Sequence, residues 1–277
     1  MTLRPAAALR AAALVSALAL LPSLPVAAQE PAPLDRQLLS DFRFRSVGPA
    51  GTGGRIHDVE ALPDDPSTLY VATASGGLWK STNQGTTWTP LFDDQAVSTF
   101  GDVAVAPSDP SILYAGTGEQ QNRQSTSWGN GVYRSDDGGE SWTHLGLEET
   151  RHIGRVLVHP GDPDVVWVAA QGNLWAGGPH RGVYRTTDGG ESWEKVLAGA
   201  NRFTGAVELA LSPRDPDVIY AAMYQRLRRS WGFNGGGPGS GIWRSTDGGE
   251  SWRELSDGLP GGEKGRIGID VSPADPD

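Results

Sequence analysis

Ser245-Thr246-Asp247-Gly248-Gly249-Glu250-Ser251-Trp252 occurs four times in this chain, with variation. The other copies are residues 81–88 (STNQGTTW), 135–142 (SDDGGESW) and 186–193 (TTDGGESW). The shared order is hydroxyl, any residue, Asp or Asn, any residue, Gly, any residue, hydroxyl, Trp. Asn83, Asp137, Asp188 and Asp247 are placed to accept backbone N–H groups one or two residues on and close a turn. Gly85, Gly139, Gly190 and Gly249 supply the positive φ such a turn needs. Trp88, Trp142, Trp193 and Trp252 open the next strand with a large apolar side chain for the core.

A second mark alternates with the first. It is Pro-x-Asp-Pro before an apolar strand, at 63–66, 107–110, 160–163 and 213–216, with a fifth copy at 273–276. Asp before Pro favours extended or turn backbone, and Pro pre-sets φ. Each unit therefore reads as strand A, a Pro-Asp turn, strand B, a variable loop, strand C, the Trp-ended turn and strand D. The Trp-to-Trp spacings are 54, 51 and 59 residues. Four-stranded units of that length are blades of an all-β propeller. The blades are expected at about 53–92, 99–147, 152–198 and 203–256, with a fifth from 264. Because a fifth has begun, further blades or domains are expected beyond residue 277, in a ring of seven or more.

The flanking sequence speaks to location. Arg4 and Arg10, the apolar run 11–21 and Val26-Ala27-Ala28 read as a secretory signal over 1–28, too short to span a bilayer. Residues 29–41 read as a linker, and Phe42-Arg43-Phe44-Arg45 as a strand completing the last blade. The expected location is bacterial and secreted, periplasmic or cell-surface. Cysteine is absent, so stability must come from the core. A net charge of −10 without a basic patch argues against a nucleic-acid partner. The five histidines lack metal-ligand spacing. No metal, cofactor or transmembrane span is expected.

Chain direction sorts residues by face. Both kinds of turn fall on one face, where their carboxylates serve architecture. The other face carries the B–C loops, three of them long (119–130, 171–181 and 225–240). Trp128, Trp175 and Trp231 stand there, outside the repeat pattern. Arg123, Arg181, Arg226, Arg228 and Arg229 accompany them, a composition suited to stacking on sugars or anchoring a peptide. In strand A, aligned positions hold Asp58, Asp102, Arg155, Glu208 and Gly268. The innermost strand lines the channel, so these charges should converge near its axis, with Arg55 and His152 at the rim. They can pair with one another as a channel lining, or act as a carboxylate pair in glycoside hydrolysis.

From Phe42 onward the sequence resembles the bacterial exported proteins of the sortilin-like, Asp-box (BNR) propeller superfamily, a glycosyl-hydrolase-like group. The residues carrying the resemblance are Phe44-Arg45-Ser46-Val47-Gly48-Pro49, Gly54-Arg55-Ile56, Ala74-Ser75-Gly76-Gly77-Leu78-Trp79-Lys80 and the four Trp-ended turns, which are the Asp-boxes. The resemblance implies a propeller, and relatives that include peptide receptors, sialidases and xyloglucanases. In the xyloglucanases a catalytic Asp is implied where this chain has Ala74. The sialidase Arg-Ile-Pro signature is missing, since His57 follows Arg55-Ile56. The expected function is therefore a non-catalytic propeller binding a peptide or glycan through Arg55, Arg155, Trp128, Trp175, Trp231, Arg123 and Arg228. The alternatives are a glycoside hydrolase using Asp58 with Asp102 or Glu208, and a scaffold for a C-terminal domain.

Overall fold

The computed structural model describes residues 54–62 and 64–274. The expected signal, linker and strand at 42–45 lie outside the described residues. Sixteen of the strands form four antiparallel sheets of four. The first blade is β1 (Ile56–Leu62), β2 (Asp65–Thr73), β3 (Leu78–Ser81) and β4 (Thr89–Pro90). The second is β5 (Phe100–Ala106), β6 (Asp109–Thr117), β7 (Val132–Ser135) and β8 (Thr143–His144). The third is β9 (Ile153–His159), β10 (Asp162–Ala170), β11 (Gly182–Thr186) and β12 (Glu194–Ala198). In the fourth, β13 (Thr204–Leu211) and β14 (Ile219–Gln225) pair as inner strands. A loop hairpin, β15 (Leu227–Arg229) and β16 (Gly232–Asn234), precedes β17 (Gly241–Ser245) and β18 (Arg253–Leu255). This is the all-β propeller-blade architecture expected from the sequence. The long fourth B–C loop (225–240) contains this hairpin, which the repeat pattern does not encode. Residues 265–274 form no strand, and Lys264 makes only an isolated bridge to Gly237.

The inner strands of the second and third blades are buried on both faces because each of those sheets lies between two neighbouring blades, whereas Ile56 and Val59 of the first blade are exposed. Tyr70, Ala72 and Leu78 of the first blade pack with Phe100, Val103 and Leu113 of the second. Equivalent apolar sets join the second blade to the third and the third to the fourth. Phe92 meets Phe100 and Tyr133 edge to face, each at 4.9 Å between ring centroids.

The Trp-ended turns close differently from the expectation. Asp137 Oδ1 accepts the N–H of Ser141, four residues on rather than one or two, at 2.9 Å. Its Oδ2 accepts the Ser141 hydroxyl at 2.5 Å. Ser135 Oγ donates to Asp137 at 2.7 Å and accepts the Gly139 N–H at 2.8 Å. Asp188 and Asp247 repeat the pattern, and Asn83 substitutes its amide oxygen. Gly138 N–H bonds Ser111 O, and the other three turns make the same bond to their own A–B turn. That ties both turns of each blade together on one face.

Trp142, Trp193 and Trp252 pack against the core clusters, as expected, and two of them also latch adjacent blades together. Trp142, Trp193 and Trp252 are half-buried and Trp88 is exposed. Trp142 Nε1 donates to Leu91 O of the preceding blade at 3.1 Å, and Trp193 Nε1 to Leu145 O at 2.9 Å. A second set runs forward. The Tyr70 hydroxyl donates to Gly138 O, the Tyr114 hydroxyl to Pro163 O, and Trp167 Nε1 to Gly248 O.

Candidate functional site

Asp58, Asp102, Arg155 and Glu208 do converge. They pair across their own hairpins with Ala72, Gly116, Ala169 and Ala222, the same register position in each blade. Each lies at a register shift, between Ile56 and Asp58, Phe100 and Asp102, Ile153 and Arg155, and Ala206 and Glu208. A bulge re-aims the side chain that follows it. Here the repeat turns four charged side chains to one locus.

Arg155 is the hub. Its Nη1 lies 3.2 Å from Asp102 Oδ1 and 3.9 Å from Asp58 Oδ1, and its Nε lies 3.7 Å from Glu208 Oε1. The carboxylates also clasp the next blade. Asp58 Oδ2 accepts the Val103 N–H at 3.3 Å, and Asp102 Oδ2 accepts the Val156 N–H at 2.7 Å. Burial pushes the Asp102 carboxyl well above the usual range, opposed by Arg155. Burial also raises Asp58 and Glu208, again opposed by Arg155. Asp102 is 2% exposed. As a catalytic candidate it is less well placed than Asp58, because it is more deeply buried and held more tightly, at 3.2 Å from Arg155 and 2.7 Å from the Val156 nitrogen against 3.9 Å and 3.3 Å for Asp58.

Glu60, which no shared position of the repeat marks, is the group best set up for proton transfer. It sits two residues beyond Asp58 in β1, so it shares that face. Burial, then the charge of Asp58, pushes its carboxyl up to about 7, against the pull of Arg155. It has no hydrogen bond among the described residues. It lines a cavity of about 490 Å³ together with Arg155 and the inner strands β1, β5 and β9. Asp64, Pro107 and Pro110 bound that cavity toward the turn face, not the loop face where chemistry was expected. The signal in the sequence was the pattern itself. Positions matching Glu60 in the other blades are Ala104, Leu157 and Ala210, so one blade departs from the repeat.

At the loop end, Arg55 Nη2 lies 2.8 Å from Glu119, which is fully buried. His57 Nδ1 lies 2.6 Å from Phe100 O. His152 is not at the rim. It is fully buried, and burial holds its pKa well below the usual value. Arg181 and Arg226, expected beside the exposed tryptophans, are buried. Arg181 bonds the carbonyls of Gln171, Phe203, Asn173 and Ala176. Arg226 bonds Asn122 and the carbonyls of Gln120 and Gly172. The two arginines staple the loops. Arg123 is exposed. Trp231, at the tip of the β15–β16 hairpin, is 81% exposed, with Arg229 over its ring at 5.6 Å. Trp128 is 50% exposed beneath Arg151, Trp175 is half-buried, and Arg228 stacks on Phe233. Gly268 brings no charge to the ring, while Arg266 from the same segment reaches Gln120 and Gln121. Among the described residues no cluster of His, Asp or Glu is arranged to hold a metal, and no helix is long and apolar enough to cross a membrane.

Comparison with known proteins bears on this geometry. Residues 130–262 match the family model described as sortilin, neurotensin receptor 3. A xyloglucanase of Acetivibrio thermocellus is 33% identical over 141 residues, covering 45% of this chain and 15% of that protein. An oligoxyloglucan-reducing end-specific xyloglucanase of Emericella nidulans is 27% identical over 231 residues, covering 77% and 25%. The chain thus spans a quarter or less of the length of these curated relatives. Among solved structures, an ancestral GH74 enzyme aligns with a TM-score of 0.62 at 20% identity, covering 80% of this chain and 28% of that one. The GH74 xyloglucanase from Xanthomonas campestris aligns at 0.57 and 24% identity, covering 78% and 32%. These structures share the fold. The curated relatives overturn the expectation of a non-catalytic peptide- or glycan-binding propeller, because they are named as hydrolases. The sortilin-like, glycosyl-hydrolase-like propeller that the sequence resembles is thus borne out by the matches and by the fold.

Proposed function

We propose that this chain is part of a propeller glycoside hydrolase acting on a xyloglucan-type polysaccharide outside the cell. The substrate class comes from the relatives. The observation that carries the chemistry is Glu60, a carboxyl held protonated to about pH 7 on a cavity wall. Beside it on the same strand face is Asp58, whose charge Arg155 compensates. Glycoside hydrolysis needs one protonated carboxyl to give a proton to the leaving oxygen. It needs a second, ionised one to activate water or stabilise the sugar cation. Glu60 takes the first role and Asp58 the second, with Glu208 on the far side of Arg155 as the other available acid. Asp102 holds Arg155 in place. Ala74 removes the acid that the resemblance implies at that position, so the proton must come from elsewhere, and Glu60 supplies it. An exported location goes with this reading and rests on the signal-like stretch before Gln29.

The test is release of reducing ends from xyloglucan by the full-length protein and its Glu60→Gln variant. The variant should lose about 100-fold or more in kcat, the usual worth of a general acid. Wild-type activity should fall as pH rises through about 7. Equal activity of the two proteins, or no release by the wild type, rejects the proposal.

A further inference from the structure

A second cavity, of about 680 Å³, lies away from the channel beside the third blade. Its walls are the loop before β11 (residues 177–181) and the link from β12 to β13 (residues 198–204). Both belong to the loop face. Its size falls within the range of small-molecule sites. Three cations line it, Arg181, Lys195 and Arg202, and no carboxylate does. In a chain of net charge −10, that is a local reversal of sign.

None of the three cations has an ion pair among the described residues. Arg181 is 2% exposed and spends its bonds on carbonyls. Burial alone pulls its pKa down to about 10, with no acid to offset it. Lys195 donates to Pro179 O and stands over the Tyr184 ring at 5.2 Å. Arg202 donates to Gly177 O at 3.3 Å. The nearby acids face elsewhere. Glu194 turns to Arg185, and Glu149 to Arg151. Two buried polar atoms on lining residues, Arg181 Nε and Thr204 Oγ1, have no hydrogen-bond partner. A buried cation without a counter-charge is costly, and a bound anion relieves that cost. A side chain at Gly178 would meet nothing within 4 Å, so that wall of the groove is open.

We infer that this groove is a subsite for a negatively charged sugar residue, a uronate or a sulfate ester, carried by the glycan. The inference rests on the glycan reading above for the sugar, and on the groove alone for the charge. It would let the protein grip an acidic branch or a neighbouring acidic polysaccharide while a neutral backbone lies elsewhere.

The test is calorimetric titration of the full-length protein with trigalacturonate, a sulfated disaccharide and neutral cellotriose, at low and high salt. At least one acidic probe should bind about tenfold or more tighter than cellotriose, and that advantage should shrink at high salt. Which acidic probe wins separates carboxylate from sulfate. Lys195 and Arg202 are exposed, so Lys195→Gln/Arg202→Gln should fold, with an unchanged melting temperature as the check, and should lose the tenfold advantage. Equal binding of acidic and neutral probes, or an unaltered advantage in the folded double variant, overturns the inference. Binding is read without hydrolysis, so a failed xyloglucan assay leaves this result standing, and a failed titration leaves the hydrolase standing.

Discussion

Asp102 Oδ2 accepts the Val156 N–H at 2.7 Å across the boundary between the second and third blades, while its Oδ1 holds Arg155 at 3.2 Å. One buried carboxylate thus joins two blades and fixes the hub of the charged ring. Asp102→Ala leaves the buried Val156 N–H without its acceptor and takes from Arg155 its nearest carboxylate. The cost should be about 3 kcal/mol of folding stability, the range for breaking one side of a buried ion pair. Urea denaturation at pH 7 measures it, and a change under about 1 kcal/mol would show that water replaces the carboxylate.

Glu60 should make stability fall as pH rises. Its folded pKa of about 7 lies above the ordinary glutamate value of 4.5. Below pH 4.5 both states are protonated and the group is neutral to stability. Between about 4.5 and 7 the unfolded chain ionises first, so stability is lost through that window, and above it the loss is constant. Glu60→Gln should therefore match wild type at pH 4 and exceed it by about 1–3 kcal/mol at pH 8. Parallel stability curves for the two proteins across this range contradict the raised pKa.

The turn aspartates act in the opposite sense. Hydrogen bonds from Ser141, then from Ser135, hold Asp137 down to about 2, and Asp188 and Asp247 are held down to about 2 in the same way. Their contribution is complete above about pH 4 and disappears as pH falls toward 2. Asp137→Ala should cost about 1–2 kcal/mol at pH 7 through the lost bonds to Ser141. It should cost little at pH 2. A deficit that persists undiminished at pH 2 points to packing rather than to the charged acceptor.

Gln84 has φ 57, where the other turns place Gly138, Gly189 and Gly248 at φ 72, 70 and 67. A side chain there is strained by about 1 kcal/mol, partly offset because glycine frees the unfolded chain. Gln84→Gly should stabilise the first blade by about 0.5 kcal/mol, read as a small rise in Tm. A fall in Tm would mean that the Gln84 side chain makes a compensating contact.

The repeat was legible because turn chemistry and strand alternation are local. The two motifs gave the blades, and aligning strand A brought Asp58, Asp102, Arg155 and Glu208 into one ring. Glu60 escaped notice because the alignment looked for shared positions, and Glu60 is a departure at one of them. The burial of Arg181 and Arg226 was hidden because it depends on where glycine-rich loops fold back, which no local pattern encodes. Size correctly marked Trp142, Trp193 and Trp252 for the core, but not that the indole N–H groups of Trp142 and Trp193 reach carbonyls of the preceding blade. The hydrolytic reading came from relatives rather than from any catalytic signature in the chain.

The paired latches have an evolutionary consequence. The second and third blades each carry a Trp that reaches back one unit and a Tyr or Trp that reaches forward one unit, and both grasp backbone carbonyls rather than particular side chains. A carbonyl is present whatever residue stands there, so the joint is indifferent to the neighbour's sequence. A duplicated blade would arrive with both couplings already fitted, and tandem duplication could lengthen the array without any co-adapted substitution. Only positions that break the pattern, as Glu60 does, would then need selection for chemistry.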